Sequence, residues 1–123
     1  MKLSLKLALL LTSMSLAFCT KTNIQPEQDQ QLSLAPQGIQ AKIADVKTQL
    51  KSNQSATLYK YNYKGQVVYL ITSDCCDQYN YLYDENSNII CAPSGGITGL
   101  GDGRCTDFST EKKDPVLLWK MTK

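Results

Sequence analysis

Four cysteines between residues 75 and 105 constrain this chain more than any other feature of its sequence. An even number of cysteines in a short stretch is typical of a small exported domain held by disulfide bonds. Three pairings are possible, and a bond between the neighbours Cys75 and Cys76 would close a strained ring. Adjacent residues of an extended chain point to opposite sides, so each of the two can reach a separate partner. The favoured pairing joins Cys76 to Cys91 and Cys75 to Cys105.

The same cysteines offer little for redox or metal chemistry. The chain has no Cys-x-x-Cys motif and no histidine, so it lacks both a typical redox pair and the ligands of a mixed zinc site. Four thiolates could bind zinc, but an exported protein meets an oxidising environment. We therefore expect two structural disulfide bonds, no metal and no cofactor.

The N-terminus has the order of a secretory signal peptide. Lys2 and Lys6 precede the apolar run Leu7–Leu11, and further apolar residues continue to Phe18. A helix needs about 20 apolar residues to cross a bilayer, and this run is too short. We expect a signal peptide over residues 1–18 and export of the remaining chain.

The signal segment ends in Leu16-Ala17-Phe18-Cys19, which resembles the bacterial lipobox. In that motif the cysteine is lipidated on its thiol and becomes the new N-terminus. Phe18 departs from the motif, which has a small residue there, and the alternative is ordinary cleavage after Ala17. The cysteine count favours lipidation, because setting Cys19 aside leaves four cysteines that can all pair. We expect Cys19 to anchor the protein to a membrane.

The composition predicts one small domain behind a spacer. Residues 19–36 are rich in glutamine and have few large apolar side chains, so we expect a flexible spacer there. Residues 37–123 would form a single monomeric domain. Of 13 basic residues, loss of Lys2 and Lys6 with the leader leaves 11, against 11 acidic residues. A near-neutral chain without a basic cluster is not expected to bind nucleic acid.

The rest of the chain predicts an α+β fold. Ile39, Ile43, Val46 and Leu50 recur at helical spacing, which indicates an amphipathic helix over residues 37–51. The predicted strands are a hairpin over residues 57–72 that turns at Lys64-Gly65, a strand through Tyr79, Tyr81 and Tyr83, a strand at residues 89–91 and an edge strand at residues 116–119. We expect one N-terminal helix packed on a small antiparallel sheet of four to five strands, stapled by two disulfides.

A glycine-rich segment between Cys91 and Cys105 is the candidate recognition loop. A disulfide at each end and Pro93 would order this segment in advance and reduce the entropy lost on binding. The alternative is an irregular loop whose glycines serve turns. The candidate recognition residues are Pro93, Ser94, Gly95, Gly96, Asp102 and Arg104.

Two other patterns suggest sites only loosely. Asp84, Asn86 and Asn88 alternate like the first ligands of a calcium loop, but the expected glycine and closing glutamate are missing. A polar hairpin turn explains the same residues. Ser94 has no histidine to act as its base. We therefore predict no catalytic residue.

Four blocks follow one another along the chain: Asp74–Tyr79, Leu82–Asn86, Ile90–Gly96 and Gly99–Cys105. They contain the motifs Cys-Cys-Asp-Gln, Gly-Gly and Gly-Asp-Gly-x-Cys. Through these blocks, residues 57–120 resemble an uncharacterised family of small exported domains of Bacteroidota-type bacteria, which are often lipoproteins. The resemblance implies a structural role for the four cysteines and no activity, because that family is a domain of unknown function.

Two functional hypotheses follow. The first is a noncatalytic lipoprotein that binds an unknown protein or glycan of the cell envelope or the extracellular space. The second is a protease-inhibitor-like or small enzyme domain with an external substrate. A pocket with convergent Asp and Lys groups would favour an enzyme, and a protruding loop without a pocket would favour binding or inhibition. Thr20-Lys21 lacks the acidic run of surface-export signals, which favours a periplasm-facing domain. Ordinary cleavage after Ala17 would instead give a secreted protein.

Overall fold

The computed structural model describes residues 26–75 and 77–123, so the predicted signal peptide and Cys19 lie outside the described residues. The elements in these two ranges are α1 (Pro26–Leu32), α2 (Gln37–Gln49), β1 (Ser55–Tyr63), β2 (Gln66–Ser73), β3 (Tyr79–Tyr83), β4 (Ile89–Gly95), α3 (Phe108–Glu111) and β5 (Lys113–Thr122). None of these helices has the length and hydropathy needed to cross a membrane.

The strands form one antiparallel sheet in the order β4-β3-β2-β1-β5. Strands β1 and β2 make a hairpin in which Tyr63 is the register partner of Gln66. Lys64 and Gly65 between them have φ angles of 52° and 77°. Positive φ at both central residues gives the tight turn whose twist matches that of the strands. The predicted antiparallel sheet and its first hairpin are confirmed.

Helix α2 covers one face of the sheet. Ile39 and Ile43 are fully buried and share a core with Trp119 of β5. Complete burial of such an aliphatic side chain contributes about 1.5–3 kcal/mol. The predicted helix is confirmed, but it ends slightly before residue 51, because Leu50 takes an extended conformation and turns into the core.

Helix α1 lies inside the segment that was expected to be a spacer. Leu32 and Ala35, at the end of α1 and just after it, are buried in the core that α2 covers. Asp29 of α1 contacts Lys47 of α2 at 3.7 Å, and α1 also packs against β5. Ordered structure therefore begins before residue 37, because a few apolar side chains among the glutamines find a surface to bury against.

The other face of the sheet is covered by the chain between β4 and β5. Phe108 of α3 is buried, and its ring meets Tyr61 and Tyr63 edge-on with centroid distances of 5.4 and 5.2 Å. Cys91 and Cys105 belong to the same core. The prediction of a single helix on the sheet is therefore corrected: α1 and α2 pack on one face, and α3 with its flanking chain packs on the other.

Strand β5 forms an edge of the sheet, as predicted, but it is longer than residues 116–119. It extends over Lys113–Thr122 and pairs with β1. Pro115 cannot donate a backbone hydrogen bond, which an edge strand tolerates. Within the predicted apolar run only Leu118 and Trp119 are buried, whereas Val116 is 39% exposed.

Candidate functional site

The disulfide bond of the glycine-rich segment joins Cys91 to Cys105, with Cα atoms 6.1 Å apart. The predicted pairing of Cys76 with Cys91 and Cys75 with Cys105 is therefore wrong. That prediction assumed extended chain at the neighbouring cysteines, but Cys75 lies after the end of β2 at Ser73, where the alternation of strand side chains does not apply. Cys75 is also disulfide-bonded, and Cys76 lies outside the described residues.

Three of the candidate recognition residues belong to the sheet and not to a loop. Pro93, Ser94 and Gly95 are the last residues of β4. Ser94 Oγ accepts a hydrogen bond of 3.1 Å from Asn80 Nδ2, and Gly95 is the register partner of Tyr79. A Cβ atom on Gly95 would lie 2.8 Å from the backbone nitrogen of Asn80, so this glycine permits the close approach of β3.

Asp102 and Arg104 form hydrogen bonds at the base of the glycine-rich segment. The Asp102 carboxylate accepts hydrogen bonds from the backbone N–H of Arg104 at 3.0 Å and from its Nε at 2.8 Å. The backbone bond is the main reason why the pKa of Asp102 lies below its ordinary value. The N–H of Asp102 donates to the Ala92 carbonyl at 2.9 Å. The Asp102 carboxylate thus forms its hydrogen bonds within the glycine-rich segment, whereas the Arg104 side chain is largely exposed.

Residues 96–100 form a turn beyond the end of β4, which we name the glycine tip. The N–H of Gly96 donates to the Gln78 carbonyl at 2.9 Å and holds the tip to the start of β3. Ile97 and Leu100 are 90% and 78% exposed. Neither was a candidate recognition residue, although their isolation among glycines is a signal that a sequence can show.

Asp84 organises the β3–β4 turn. Its Oδ1 accepts hydrogen bonds of 2.9 Å from the backbone N–H groups of both Asn86 and Asn88, and its Oδ2 accepts one of 3.3 Å from Asn88 Nδ2. The bond from the Asn88 backbone is the main reason why the pKa of Asp84 is lowered. These contacts are those of a polar hairpin turn.

Tyr63, Lys64 and Asp107 form a second polar cluster, on the face that α3 covers. The Tyr63 hydroxyl donates to Asp107 Oδ1 at 2.6 Å, and Lys64 Nζ lies 2.6 Å from Asp107 Oδ2. Hydrogen bonds from Lys64 and then from Tyr63 hold the pKa of Asp107 below its ordinary value. Burial, followed by the bond to Asp107, raises the pKa of Tyr63, so the phenol keeps the proton that it donates.

The lowered pKa of Asp107 makes the stability of the folded protein depend on pH in the acid range. Because its pKa is lower in the folded chain, the unfolded chain binds the proton first as the pH falls. The stabilisation is complete above the unfolded pKa near 4 and is lost as the pH falls through the folded value. We expect the loss of melting temperature between pH 6 and pH 3 to be smaller in Asp107→Asn than in the wild type, with Lys64→Gln changing in the same direction. An unchanged acid profile in both variants would contradict this assignment.

A groove of about 230 Å³ lies between α2 and β3, and we name it the tyrosine groove. Tyr79, Tyr81 and Tyr83 alternate along β3, so their rings lie on the same face of the sheet. Neighbouring ring centroids are 6.0 and 6.3 Å apart, and Tyr79 is 43% exposed. The alternation of tyrosines predicts the strand, whereas the groove exists only because α2 lies beside that strand.

Two charged side chains of α2 also line the tyrosine groove. Lys42 Nζ lies 4.8 Å from the centroid of the Tyr83 ring, within cation–π range. Asp45 adds a carboxylate, and neither residue forms an ion pair within the described part of the chain. The groove thus combines aromatic rings with one positive and one negative group.

Comparison with known proteins identifies the family of this chain. A family model described as a domain of unknown function, DUF6970, matches residues 44–121. This range contains β1–β4, almost all of β5, the disulfide and the glycine tip, and it omits α1 and the first half of α2. No curated protein and no solved structure matches the chain. The resemblance to a family without known activity is confirmed, and the chain belongs to the DUF6970 family.

Proposed function

We propose that this protein is a noncatalytic exported lipoprotein domain that binds a glycan chain in the tyrosine groove. Export and anchoring are supported by the signal-peptide pattern of residues 1–18 and by the lipobox-like position of Cys19. The domain would face the periplasm and bind a glycan near its anchor. The row of tyrosines beside α2 is the observation that carries the binding function.

The chemistry of the groove suits a saccharide. A sugar ring has an apolar C–H face and a rim of hydroxyl groups that both donate and accept hydrogen bonds. The exposed part of the Tyr79 ring offers a flat apolar surface for the C–H face of the sugar. For the hydroxyl groups of the sugar, Asp45 can accept hydrogen bonds, Lys42 can donate them and Gln78 can do both.

The size and charge of the groove favour one unit of a longer, neutral chain. Pockets that enclose a small molecule usually measure about 300–1,000 Å³. This groove is smaller, at about 230 Å³, so a single ring can be seated while its neighbours continue outside. Lys42 and Asp45 have opposite charges, so the groove has no excess charge with which to attract a polyanion.

Glycan binding is tested by titrating the mature protein with soluble, neutral envelope polysaccharides, using calorimetry. We expect Tyr79→Ala to weaken binding about tenfold, since an aromatic contact contributes about 0.5–1.5 kcal/mol beyond the area that it buries. Ile89→Ala is the matched control, because Ile89 is 48% exposed in the neighbouring strand and does not line the groove.

The outcomes of this titration separate the alternatives. Equal weakening in Tyr79→Ala and Ile89→Ala, or no binding of these glycans by the wild type, would contradict the proposed function. Cleavage of a glycan during the titration would instead support the enzyme hypothesis, because Asp45 and Lys42 place a carboxylate and an amine, groups that can act in general acid–base catalysis, in one groove. In that case Asp45→Asn should abolish the cleavage.

The inhibitor hypothesis has less support in the glycine tip. The N–H of Gly99 donates to the Gly96 carbonyl at 3.1 Å, which closes a tight turn around Ile97. Segments that bind by adding a strand to another protein are extended, so that their backbone groups can pair with it. A closed turn does not offer such a strand.

A further inference from the structure

The glycine tip presents two aliphatic side chains on an uncharged stretch of chain. Ile97 and Leu100 are 90% and 78% exposed. No charged residue occurs from Asn86 to Gly101. Charged groups are costly inside a bilayer, so an uncharged, aliphatic turn has the composition of a surface that enters a lipid interface.

The glycines at the base of the tip are hydrogen-bonded within the protein. The Gly99 N–H donates to the Gly96 carbonyl at 3.1 Å, and the Gly95 N–H donates to the Gly99 carbonyl at 3.2 Å. The Gly101 N–H donates to the Gly95 carbonyl at 3.1 Å. Unpaired backbone groups are costly in lipid, where no water or protein can satisfy them. This pairing covers the base of the tip, whereas the described residues show no backbone hydrogen bond to Ile97 or Thr98, so the apex suits the hydrated interfacial layer and not the hydrocarbon core.

The tip lies at the end of the sheet where α2 ends, because Gly38, near the start of α2, lies against Ser87 in the β3–β4 turn at the opposite end. Asp29, in the middle of α1, contacts Lys47 in the last turn of α2, and α1 packs beside β5, at the edge of the sheet opposite to β4. The end of α2 also borders the groove together with Gln78, whose carbonyl bonds the glycine tip. Between Cys19 and α1 lie residues 20–25, which can span at most about 20 Å. An anchor at Cys19 would therefore keep the domain close to the membrane.

We propose that the glycine tip is a second membrane contact, in which Ile97 and Leu100 enter the interfacial layer of the bilayer that holds the lipidated Cys19. This inference rests on the lipid anchor of the proposed function. Two aliphatic side chains alone are a weak membrane signal, since even one myristoyl chain binds only marginally. The anchor overcomes this weakness, because it keeps the tip at a high effective concentration at the surface.

The test uses the mature lipidated protein in phosphatidylcholine vesicles whose brominated acyl chains quench nearby tryptophan. In Ile97→Trp, we expect added emission that shifts to the blue and is quenched by the brominated lipid. Leu34→Trp is the matched control, because Leu34 is 73% exposed and follows the opposite end of α1. Its added emission should be insensitive to the lipid. The native Trp119 is buried and contributes a constant background.

Each outcome of this test decides the inference. Equal quenching in Ile97→Trp and Leu34→Trp would overturn the tip contact, because the domain would then have no preferred orientation. If neither variant is quenched, and Leu100→Trp is not quenched either, the tip contact is also overturned. A protein partner would then be the candidate that covers the tip. The intact mass, measured first, separates the two proposals. A chain without acyl groups on Cys19 overturns anchor and tip contact together, whereas an acylated chain with an unquenched tip overturns the tip contact alone.

Discussion

Replacing Cys91 and Cys105 together by alanine is expected to lower the free energy of unfolding by about 3 kcal/mol. The two residues have a sequence separation of 14, and the chain-entropy model gives about 3 kcal/mol for a closed loop of about 15 residues. Both side chains are buried, so lost packing adds to this loss. Such a change is a large share of the roughly 5–15 kcal/mol that stabilises a small domain. Urea denaturation followed by circular dichroism measures it.

Single variants separate the covalent bond from the packing of its sulfur atoms. If the bond is the main cause, Cys91→Ala alone removes most of the stability and the added change Cys105→Ala costs little more. Additive losses in the two single variants would assign the effect to packing. A double variant within about 0.5 kcal/mol of the wild type, as is usual for surface changes, would show that the bond contributes little.

The helix and the first hairpin were predictable because local patterns determine them. Ile39 and Ile43 recur on one side of a helix, and both are fully buried against the sheet. Lys64 and Gly65 adopt the positive φ angles that a two-residue hairpin requires. In both cases the information lies within a few residues of the element that it predicts.

The covering of the sheet and the cysteine pairing were not predictable in this way. The Cys91–Cys105 bond depends on the path by which the chain after β4 folds back over its own strand. Helix α1 forms in a polar segment because Leu32 and Ala35 find a core built by distant residues. The composition of the neighbouring sequence does not identify such distant partners.

The candidate site also depends on contacts between residues that are far apart in the sequence. The tyrosine groove requires Tyr79 of β3 and Lys42 of α2 to be neighbours, and no sequence spacing relates them. The exposure of Ile97 and Leu100 follows from hydrogen bonds between the glycines around them. Aliphatic side chains are usually buried, so only the backbone geometry shows that these two remain in solvent.

A single methyl group at Gly101 is expected to destabilise the protein by about 2–5 kcal/mol. Gly101 has a φ of 77°, a conformation that costs other residues about 1–2 kcal/mol. A Cβ atom there would also lie 2.8 Å from the carbonyl carbon of Pro93 and 2.9 Å from the nitrogen of Ser94. These are backbone atoms of β4, which cannot rotate away as a side chain can, so the strand or the loop has to shift at a further cost of about 1–3 kcal/mol.

Gly99→Ala is the matched control for Gly101→Ala. Gly99 has a φ of 74°, and no atom lies within 4 Å of the position of its Cβ. This variant should lose only the roughly 1–2 kcal/mol of the backbone conformation. The difference between the two variants in urea denaturation therefore measures the contact of the loop with β4. Equal losses would show that this contact is absent. An unchanged stability of Gly101→Ala would mean that the segment moves freely, which removes the rigid base on which the exposure of Ile97 and Leu100 depends.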